Sequence, residues 1–240
     1  MTGAMTGAPN EARNEATPDG PTDLVLFGTG LAAQAVAVYL RRHTDHRIVG
    51  HTVDAAFRTA DSHDGLPLVD WERLEDRFPP DRVQLFGPFS YARMNTLRRD
   101  RYHEGKARGY RFASFVHPAS HVYADAIGEN CLILEGCVVQ PFARIADNVV
   151  IWSMSVVCHH VELGETCFLA SQVVVAGGTA IGAECYLSAQ AGVGNGLRIG
   201  RACAVLNGAF VARDLPDHSV VTGPRAPLRR APGTRLHRLI

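Results

Sequence analysis

The sequence lacks the features that mark several common classes of protein. No apolar run approaches the roughly 18 residues that a membrane-spanning helix needs. The 24 basic and 24 acidic residues cancel, and no clustered positive charge points to a nucleic-acid or membrane surface. None of the six cysteines forms a Cys-x2-Cys pair, which counts against a zinc site. Residues 1–21 are small and polar without the apolar core of a signal peptide, so we expect a disordered leader on a cytoplasmic protein.

The second half of the sequence carries a six-residue repeat. From Ile127 to Val211, every sixth residue is Ile, Leu or Val. Five of the six cysteines fall four residues after such a position, where we expect small buried side chains, and Cys158 is out of phase. A hexapeptide period is typical of a β-helix, in which three hexapeptides make one triangular coil. We therefore predict five stacked coils over residues 127–216, with the aliphatic side chains inside and a Gly or Ala after each at a tight corner.

The first half of the sequence has the pattern of a small nucleotide-binding unit. Gly28-x-Gly30-x-x-Ala33 is an incomplete dinucleotide fingerprint, and Asp54 follows at a distance suited to an acid that contacts a ribose or a base. Residues 22–115 make about half of a dinucleotide domain, which disfavours a nicotinamide-dependent oxidoreductase. The alternation predicts a parallel sheet with strands at 24–27, 47–54, 82–87 and 110–116 and helices at 31–42 and 90–108.

The order of these parts resembles the sugar O-acyltransferase family of the sialic acid O-acetyltransferase type, which includes enzymes that N-acetylate UDP-4-amino sugars. The resemblance rests on the Rossmann-like unit, "FVHPASHVYADAIGENC", the repeat, and "VLNGAFVARDLPDHSVVTGPRAPL". It implies a left-handed β-helix, a homotrimer with active sites between subunits, and acetyl-CoA as co-substrate. The expected order is a leader at 1–21, a Rossmann-like acceptor domain at 22–115, the left-handed β-helix at 116–218, and a C-terminal extension at 219–240.

The segment "VVCHHVELGE" carries the resemblance to the catalytic site. Relatives have an aliphatic-x-His-Asp/Glu-x-x-Ile-Gly segment whose histidine is the base, and counting back from Leu163-Gly164 places that base at His159. An imidazole titrates near neutral pH, so it can take the proton of an attacking hydroxyl or amine. His160 stands where relatives have an acid, and three orienting groups remain open for His159: Glu162, a backbone carbonyl, or a residue of another subunit. His160 itself is a candidate for contact with the acceptor.

The resemblance implies the rest of the site. The backbone N–H of Gly177 would stabilise the oxyanion that forms on the thioester carbonyl. No metal is expected, because the β-helix offers too few histidines for a three-histidine site. The implied CoA-binding residues are Gly177, Gly178, Ala191, Gly208, Ala209 and Arg225. The implied acceptor-binding residues are Gly28, Thr29, Gly30, Leu31, Asp54, Gly87 and Ser90.

The expected function is acetyl transfer from acetyl-CoA to a hydroxyl or amine of a sugar or sugar nucleotide, with His159 as general base. One alternative keeps the fold but changes the acceptor to a non-sugar metabolite or uses another acyl donor. It is favoured by the loop Gly87-Pro88-Phe89-Ser90, which replaces the Gly-Asp/Asn-Asn of relatives, and by Phe168, where many relatives have a histidine. A second alternative is a non-catalytic scaffold, because the acid beside His159 is missing.

Overall fold

The computed structural model describes residues 22–224, which form an α/β domain followed by a β-helix. The sheet of the first domain has the order β3-β4-β2-β1-β5-β6 and is parallel except for β3, which runs antiparallel to β4. No helix among these residues is long and apolar enough to cross a bilayer. The elements of this domain are β1 Asp23–Phe27, α1 Leu31–His43, β2 Arg47–Val53, β3 Ser62–His63, β4 Leu66–Asp70, β5 Gln84–Phe86, α2 Thr96–Ala107 and β6 Arg111–Phe112.

Two predicted elements of this domain differ in the structure. Helix α2 begins at Thr96 and not near residue 90, because Arg93, Met94 and Asn95 have left-handed φ angles of 52°, 51° and 66°, which an α-helix cannot contain. The predicted strand at 110–116 is split in two: β6 pairs with β5 in the first domain, whereas Phe115–Val116 pairs with the β-helix.

The rest of the described chain folds as the left-handed parallel β-helix, confirming the predicted fold class. Its strands stack eighteen residues apart into three flat sheets that form the faces of a triangular prism. The docked face consists of β7 Phe115–Val116, β10 Leu132–Ile133, β13 Val150–Ile151, β16 Phe168–Leu169, β19 Tyr186–Leu187, β22 Ala204–Val205 and β24 Val220–Val221. The apolar face consists of β8 His121–Val122, β11 Val138–Val139, β14 Val156–Val157, β17 Val174–Val175, β20 Gly192–Val193 and β23 Phe210–Val211. The charged face consists of β9 Ala126–Ile127, β12 Arg144–Ile145, β15 Glu162–Leu163, β18 Ala180–Ile181 and β21 Arg198–Ile199.

The interior of the prism is built by the predicted aliphatic column. Every sixth residue from Ile133 to Val211 is buried in one continuous core, and Ile127 is partly buried against its end. The five cysteines in phase with the repeat belong to the same core, and burial raises the pKa of the Cys131 thiol to about 12. They therefore act as small apolar side chains, as the six-residue pattern predicts.

The corners of the prism follow a rule that differs from the prediction. The residue with left-handed backbone comes three positions after each aliphatic residue, with φ between 52° and 70° at every sixth position from Asn130 to Gly208. The glycine directly after the aliphatic residue is required by space instead: a Cβ on Gly164 would lie 2.6 Å from the backbone nitrogen of Ala183 in the next coil. Close stacking of the coils therefore selects this glycine.

Helix α2 joins the two domains by running along the corner between the charged and docked faces. Each helical turn advances about 5.4 Å, close to the ~4.8 Å spacing of the coils, so successive turns meet successive coils. Arg98 is fully buried there, and burial lowers its pKa to about 10. The contacts are Lys106 Nζ with Glu129 (2.6 Å), Tyr102 OH with Asp147 (2.9 Å), Arg98 Nη2 with the Thr166 carbonyl (2.6 Å) and Asn95 Nδ2 with the Glu184 carbonyl (3.1 Å).

Candidate functional site

His159 and His160 lie at the histidine corner, the turn between β14 of the apolar face and β15 of the charged face. Both side chains are exposed, since the aliphatic register directs Val157 and Leu163 inward and leaves the turn between them outside. The corner is on the side of the prism opposite the docked face, which carries the α/β domain. The predicted base is therefore accessible to solvent and far from the α/β domain of its own chain.

The backbone around His159 is held from the coils on both sides. Its N–H donates to Gln140 Oε1 at 3.0 Å in the preceding coil, and its carbonyl accepts the N–H of Gly178 at 2.9 Å from the following coil. The imidazole lies over Gly177, where an added Cβ would come within 2.6 to 3.0 Å of three ring atoms. Glycine at 177 thus makes room for the ring.

His160 contacts the ring of His159 with its own imidazole. The two Nδ1 atoms are 3.2 Å apart, and the rings are nearly perpendicular at 85°. The ring of His160 also packs on Phe142, with centroids 4.7 Å apart. Within residues 22–224, neither histidine forms an ion pair with an acid, and Glu162 makes no contact with either ring. Of the groups proposed from the sequence, none in the described part of the chain orients His159.

The groups at this corner suit acyl transfer. The N–H of Gly177 has no acceptor among the described residues, so it is free to donate to an oxyanion beside the imidazole. Cys158 precedes the pair, but partial burial raises the pKa of its thiol, which disfavours a thiolate nucleophile. The described residues contain no cluster of three His, Cys, Asp or Glu side chains that could hold a metal ion.

A cavity of about 530 Å³ opens at the carboxyl ends of the strands of the α/β domain. Gly30 is the N-cap of α1, and Gly28 has a φ of +115° that favours glycine in the tight turn before it. The first residues of α1, Leu31 to Ala33, line this cavity, and the N-terminus of a helix is where phosphate commonly binds. Six of the seven predicted acceptor residues line the cavity, namely Gly28, Thr29, Gly30, Leu31, Asp54 and Ser90.

Two predicted acceptor residues have contacts that sequence analysis did not anticipate. Asp54 lines the cavity, but Arg101 Nε donates to its Oδ1 at 2.7 Å, so the carboxylate is already paired. Gly87 is buried away from the cavity because Asn130 of the β-helix pairs with both its N–H (2.9 Å) and its carbonyl (3.0 Å). Gly87 therefore links the α/β domain to the β-helix, and its role in binding the acceptor stays a prediction.

The predicted CoA residues are distributed over different parts of the prism. Ala191 and Ala209 have their methyl groups in the core, and the approach of pantetheine to their backbone stays a prediction. Gly178 and Gly208 lie at two different corners, with left-handed φ angles of 70° and 65°. Arg225 lies outside the described residues.

Three residues at these sites were not predicted from the sequence. Gln140 lies beside His159 because positions nearly one coil apart stack, and an eighteen-residue alignment of the coils would have found it. Phe57 and Tyr91 are exposed aromatic side chains at the edge of the cavity. They occur in irregular segments, where no periodic pattern marks them.

Comparison with known proteins supports the same class. Residues 126–159 match the family described as bacterial transferase hexapeptide (six repeats). The fold is similar to the acetyltransferase domain of PglB from Neisseria gonorrhoeae, with 23% identity, a TM-score of 0.74, and 86% of this chain and 100% of that chain covered. It is also similar to PerB from Caulobacter crescentus, solved with CoA and GDP-perosamine, with 25% identity, a TM-score of 0.70, and 86% and 95% covered. No curated protein matches the sequence.

The chain is similar to the hexapeptide-repeat class of acyltransferases in its repeat, over residues 126–159, and in its two-domain fold. Within that class, the solved structures that it resembles over most of its length are bacterial acetyltransferases.

Proposed function

We propose that the protein transfers an acetyl group from acetyl-CoA to an amine or hydroxyl of a nucleotide-linked sugar in the cytoplasm. The observation that carries this proposal is the imidazole of His159 lying over Gly177 at an exposed corner, where the Gly177 N–H has no acceptor among the described residues. Similar structures are described with acetyl coenzyme A, and with CoA together with GDP-perosamine. These ligands support both the donor and the class of acceptor.

In the proposed reaction, His159 acts as general base. Its Nε2 takes a proton from the acceptor amine or hydroxyl as that group attacks the thioester carbonyl. The N–H of Gly177 donates to the oxygen that becomes negative in the tetrahedral intermediate. When the carbon–sulfur bond breaks, the proton on Nε2 passes to the CoA sulfur, which leaves as a thiol. The imidazole returns to its starting state.

The cavity of the α/β domain is proposed to hold the nucleotide part of the acceptor. The N-terminus of α1 suits a diphosphate, because its unpaired N–H groups and the helix dipole favour negative charge. Phe57 and Tyr91 expose 69% and 57% of their surface at this cavity, and such aromatic faces stack on nucleobases. The volume of about 530 Å³ suits a mononucleotide and a sugar.

The donor groove is proposed to follow the prism beside the histidine corner. A cavity of about 540 Å³ lies along the charged face, where Arg144 and Arg198 offer partners for the CoA phosphates. Gly164 and Gly182 have no side chain, so the pantetheine of CoA can lie close to the backbone of this face. These arginines would act beside Arg225, whose predicted contact with CoA lies outside the described residues.

The complete active site is proposed to form between subunits of a homotrimer. His159 lies opposite the docked face, so the acceptor cavity of one chain cannot face the His159 of the same chain. The apolar face beside the histidine corner exposes Val174 and Phe210, at 44% and 67%, and burial against a second copy would remove this surface from water. A neighbouring chain would then bring its acceptor domain to His159.

A second candidate is acetyl transfer to an acceptor without a nucleotide. The ion pair between Asp54 and Arg101 favours it, because a paired carboxylate is less available to a ribose. Both candidates are separated by incubating the protein with acetyl-CoA and a panel of free and nucleotide-linked amino and hydroxy sugars, followed by mass spectrometry. An acetylated nucleotide-linked sugar supports the first candidate. Acetylation of free sugars alone supports the second, and no acetylated product from any acceptor argues against both.

A further inference from the structure

His159 and His160 form a hydrogen-bonded pair. The direction of the hydrogen bond decides whether His159 can act as a base. The 3.2 Å distance between the Nδ1 atoms requires one of them to carry a proton and the other to accept it. If His159 Nδ1 is the donor, its Nε2 has a free lone pair and can act as a base. If His160 Nδ1 is the donor, the proton of neutral His159 is on Nε2, which then cannot accept another.

The backbone holds His160 where it can accept. Its φ of 56° is the left-handed conformation that recurs at each corner, and its N–H donates to the Pro141 carbonyl at 3.3 Å. Phe142, in the same conformation one coil earlier, supports the imidazole with its ring. The ring of His160 is thus fixed from below, with its Nδ1 directed at His159.

No charged group among the described neighbours of the pair could accept the Nδ1 proton of His159. In the described chain, the neighbours of the two rings are Phe142, Pro141, Gln140 and the backbone of Gly177–Gly178, and all are neutral. The thiol of Cys158 is adjacent in sequence, and burial keeps it protonated. In the described chain, the hydrogen bond of His159 Nδ1 is to His160 Nδ1.

We propose that His160 is a positioning residue: its neutral Nδ1 accepts the Nδ1 proton of His159 and so selects the tautomer in which His159 Nε2 is the base. This proposal rests on the proposed function, since it assigns a partner to the base. When His159 takes the acceptor's proton, the same hydrogen bond becomes charge-assisted and stabilises the imidazolium. An imidazole does here what a carboxylate would do with a full negative charge.

The pair predicts different effects for three substitutions of His160. His160→Phe keeps the stacking on Phe142 and suits the left-handed backbone, as Phe142 itself does, but removes the acceptor; kcat should fall about tenfold with little change in KM, the effect of losing one hydrogen bond. His160→Asn keeps an acceptor and tolerates the same backbone, so most of kcat should return. His160→Asp adds a charge that favours imidazolium, so the acid limb of the kcat/KM profile should move to higher pH.

The test is the pH profile of acetyl transfer for these variants, with His159→Ala and His218→Phe beside them. His218 also has a left-handed φ, 60°, and is exposed at the far end of the prism, so its replacement controls for the backbone. Loss of activity in His159→Ala together with wild-type rates and profiles in all three His160 variants would overturn the positioning role alone. Normal activity in His159→Ala would instead overturn the proposed function.

Discussion

The imidazole of His159 and the backbone of Gly177 occupy neighbouring coils, and each limits what the other position can be. The φ of Gly177 is not in the left-handed region, so its backbone would accept alanine. The space above it would not, because a Cβ would lie 2.6 Å from Cε1 of the ring. The requirement for glycine is thus imposed by the side chain of His159.

This contact makes a prediction at Gly177. Gly177→Ala should push the ring of His159 aside and lower kcat about a hundredfold, as expected for a displacement of roughly 1 Å. The melting temperature should also fall, because the ring must move. In the His159→Ala background the added methyl group meets no ring, so Gly177→Ala should then leave the melting temperature unchanged. Equal losses of stability in both backgrounds would contradict the contact.

At the residue scale, the sequence predicted which side chains lie outside the prism. It did not predict the hydrogen bonds that those side chains form. The six-residue register placed His159 and His160 outside the prism, because it depends only on which side chains are apolar. The distance between their Nδ1 atoms depends on rotamers and on the packing of Phe142, which no register describes. The pairing of Gly87 with Asn130 was likewise unpredictable, because the two residues are 43 positions apart.

Among the elements, helix α2 makes the side-chain hydrogen bonds that hold the α/β domain against the β-helix. Its buried guanidinium, at Arg98, donates to the carbonyls of Thr166 and Cys167 and packs near the ring of Phe168. Its Nε and Nη1 have no protein partner among the described residues, so the buried guanidinium is only partly hydrogen-bonded. Phe168 therefore belongs to the domain joint, which accounts for an apolar residue at that position.

This joint predicts the effect of removing Arg98. Arg98→Ala should leave the buried Thr166 carbonyl without a donor, while the Cys167 carbonyl keeps the N–H of Val150, and should destabilise the protein by about 2–3 kcal/mol. The melting temperature should then fall by roughly 5–10 °C. Arg111→Ala, at an exposed residue of β6, is the matched control and should leave the melting temperature unchanged within error. Equal effects of the two substitutions would show that the Arg98 contacts do not stabilise the joint.

At the element scale, periodic segments could be predicted and irregular ones could not. The coils follow from a repeat that runs without interruption from Ile127 to Val211. The start of α2 depends on three consecutive residues with left-handed φ, Arg93–Asn95, and none of them is glycine. Neither turn propensity nor hydrophobic spacing indicates such a segment. The strand pair β3–β4 is too short to show alternation.

For the whole molecule, the separation of the acceptor cavity from the histidine corner is the main constraint on function. It predicts that two inactive variants can restore each other. Gly30→Asp places a carboxylate in open space at the N-cap of α1, where it should repel a phosphate without disturbing the fold. His159→Ala removes the base. Each variant alone should be inactive.

Co-expression of the two variants should rebuild a fraction of the sites in mixed oligomers. If each site joins the cavity of one chain to the histidine of another, about a quarter of the sites contain both intact halves after random assembly. Acetyl transfer should therefore return to about a quarter of the wild-type rate. A co-expressed sample with no more activity than either variant alone would place the whole site within one chain.

The central claim is that His159 is the base of an acetyl transfer. The most direct test measures release of the CoA thiol. The acceptor in this assay is a nucleotide-linked amino sugar that the panel of sugars has identified. General base catalysis contributes roughly 10²–10⁴-fold, so His159→Ala should lower kcat by at least about a hundredfold. Binding of acetyl-CoA, measured by calorimetry, should persist in the variant. A variant that binds acetyl-CoA and releases thiol at the wild-type rate would contradict the account.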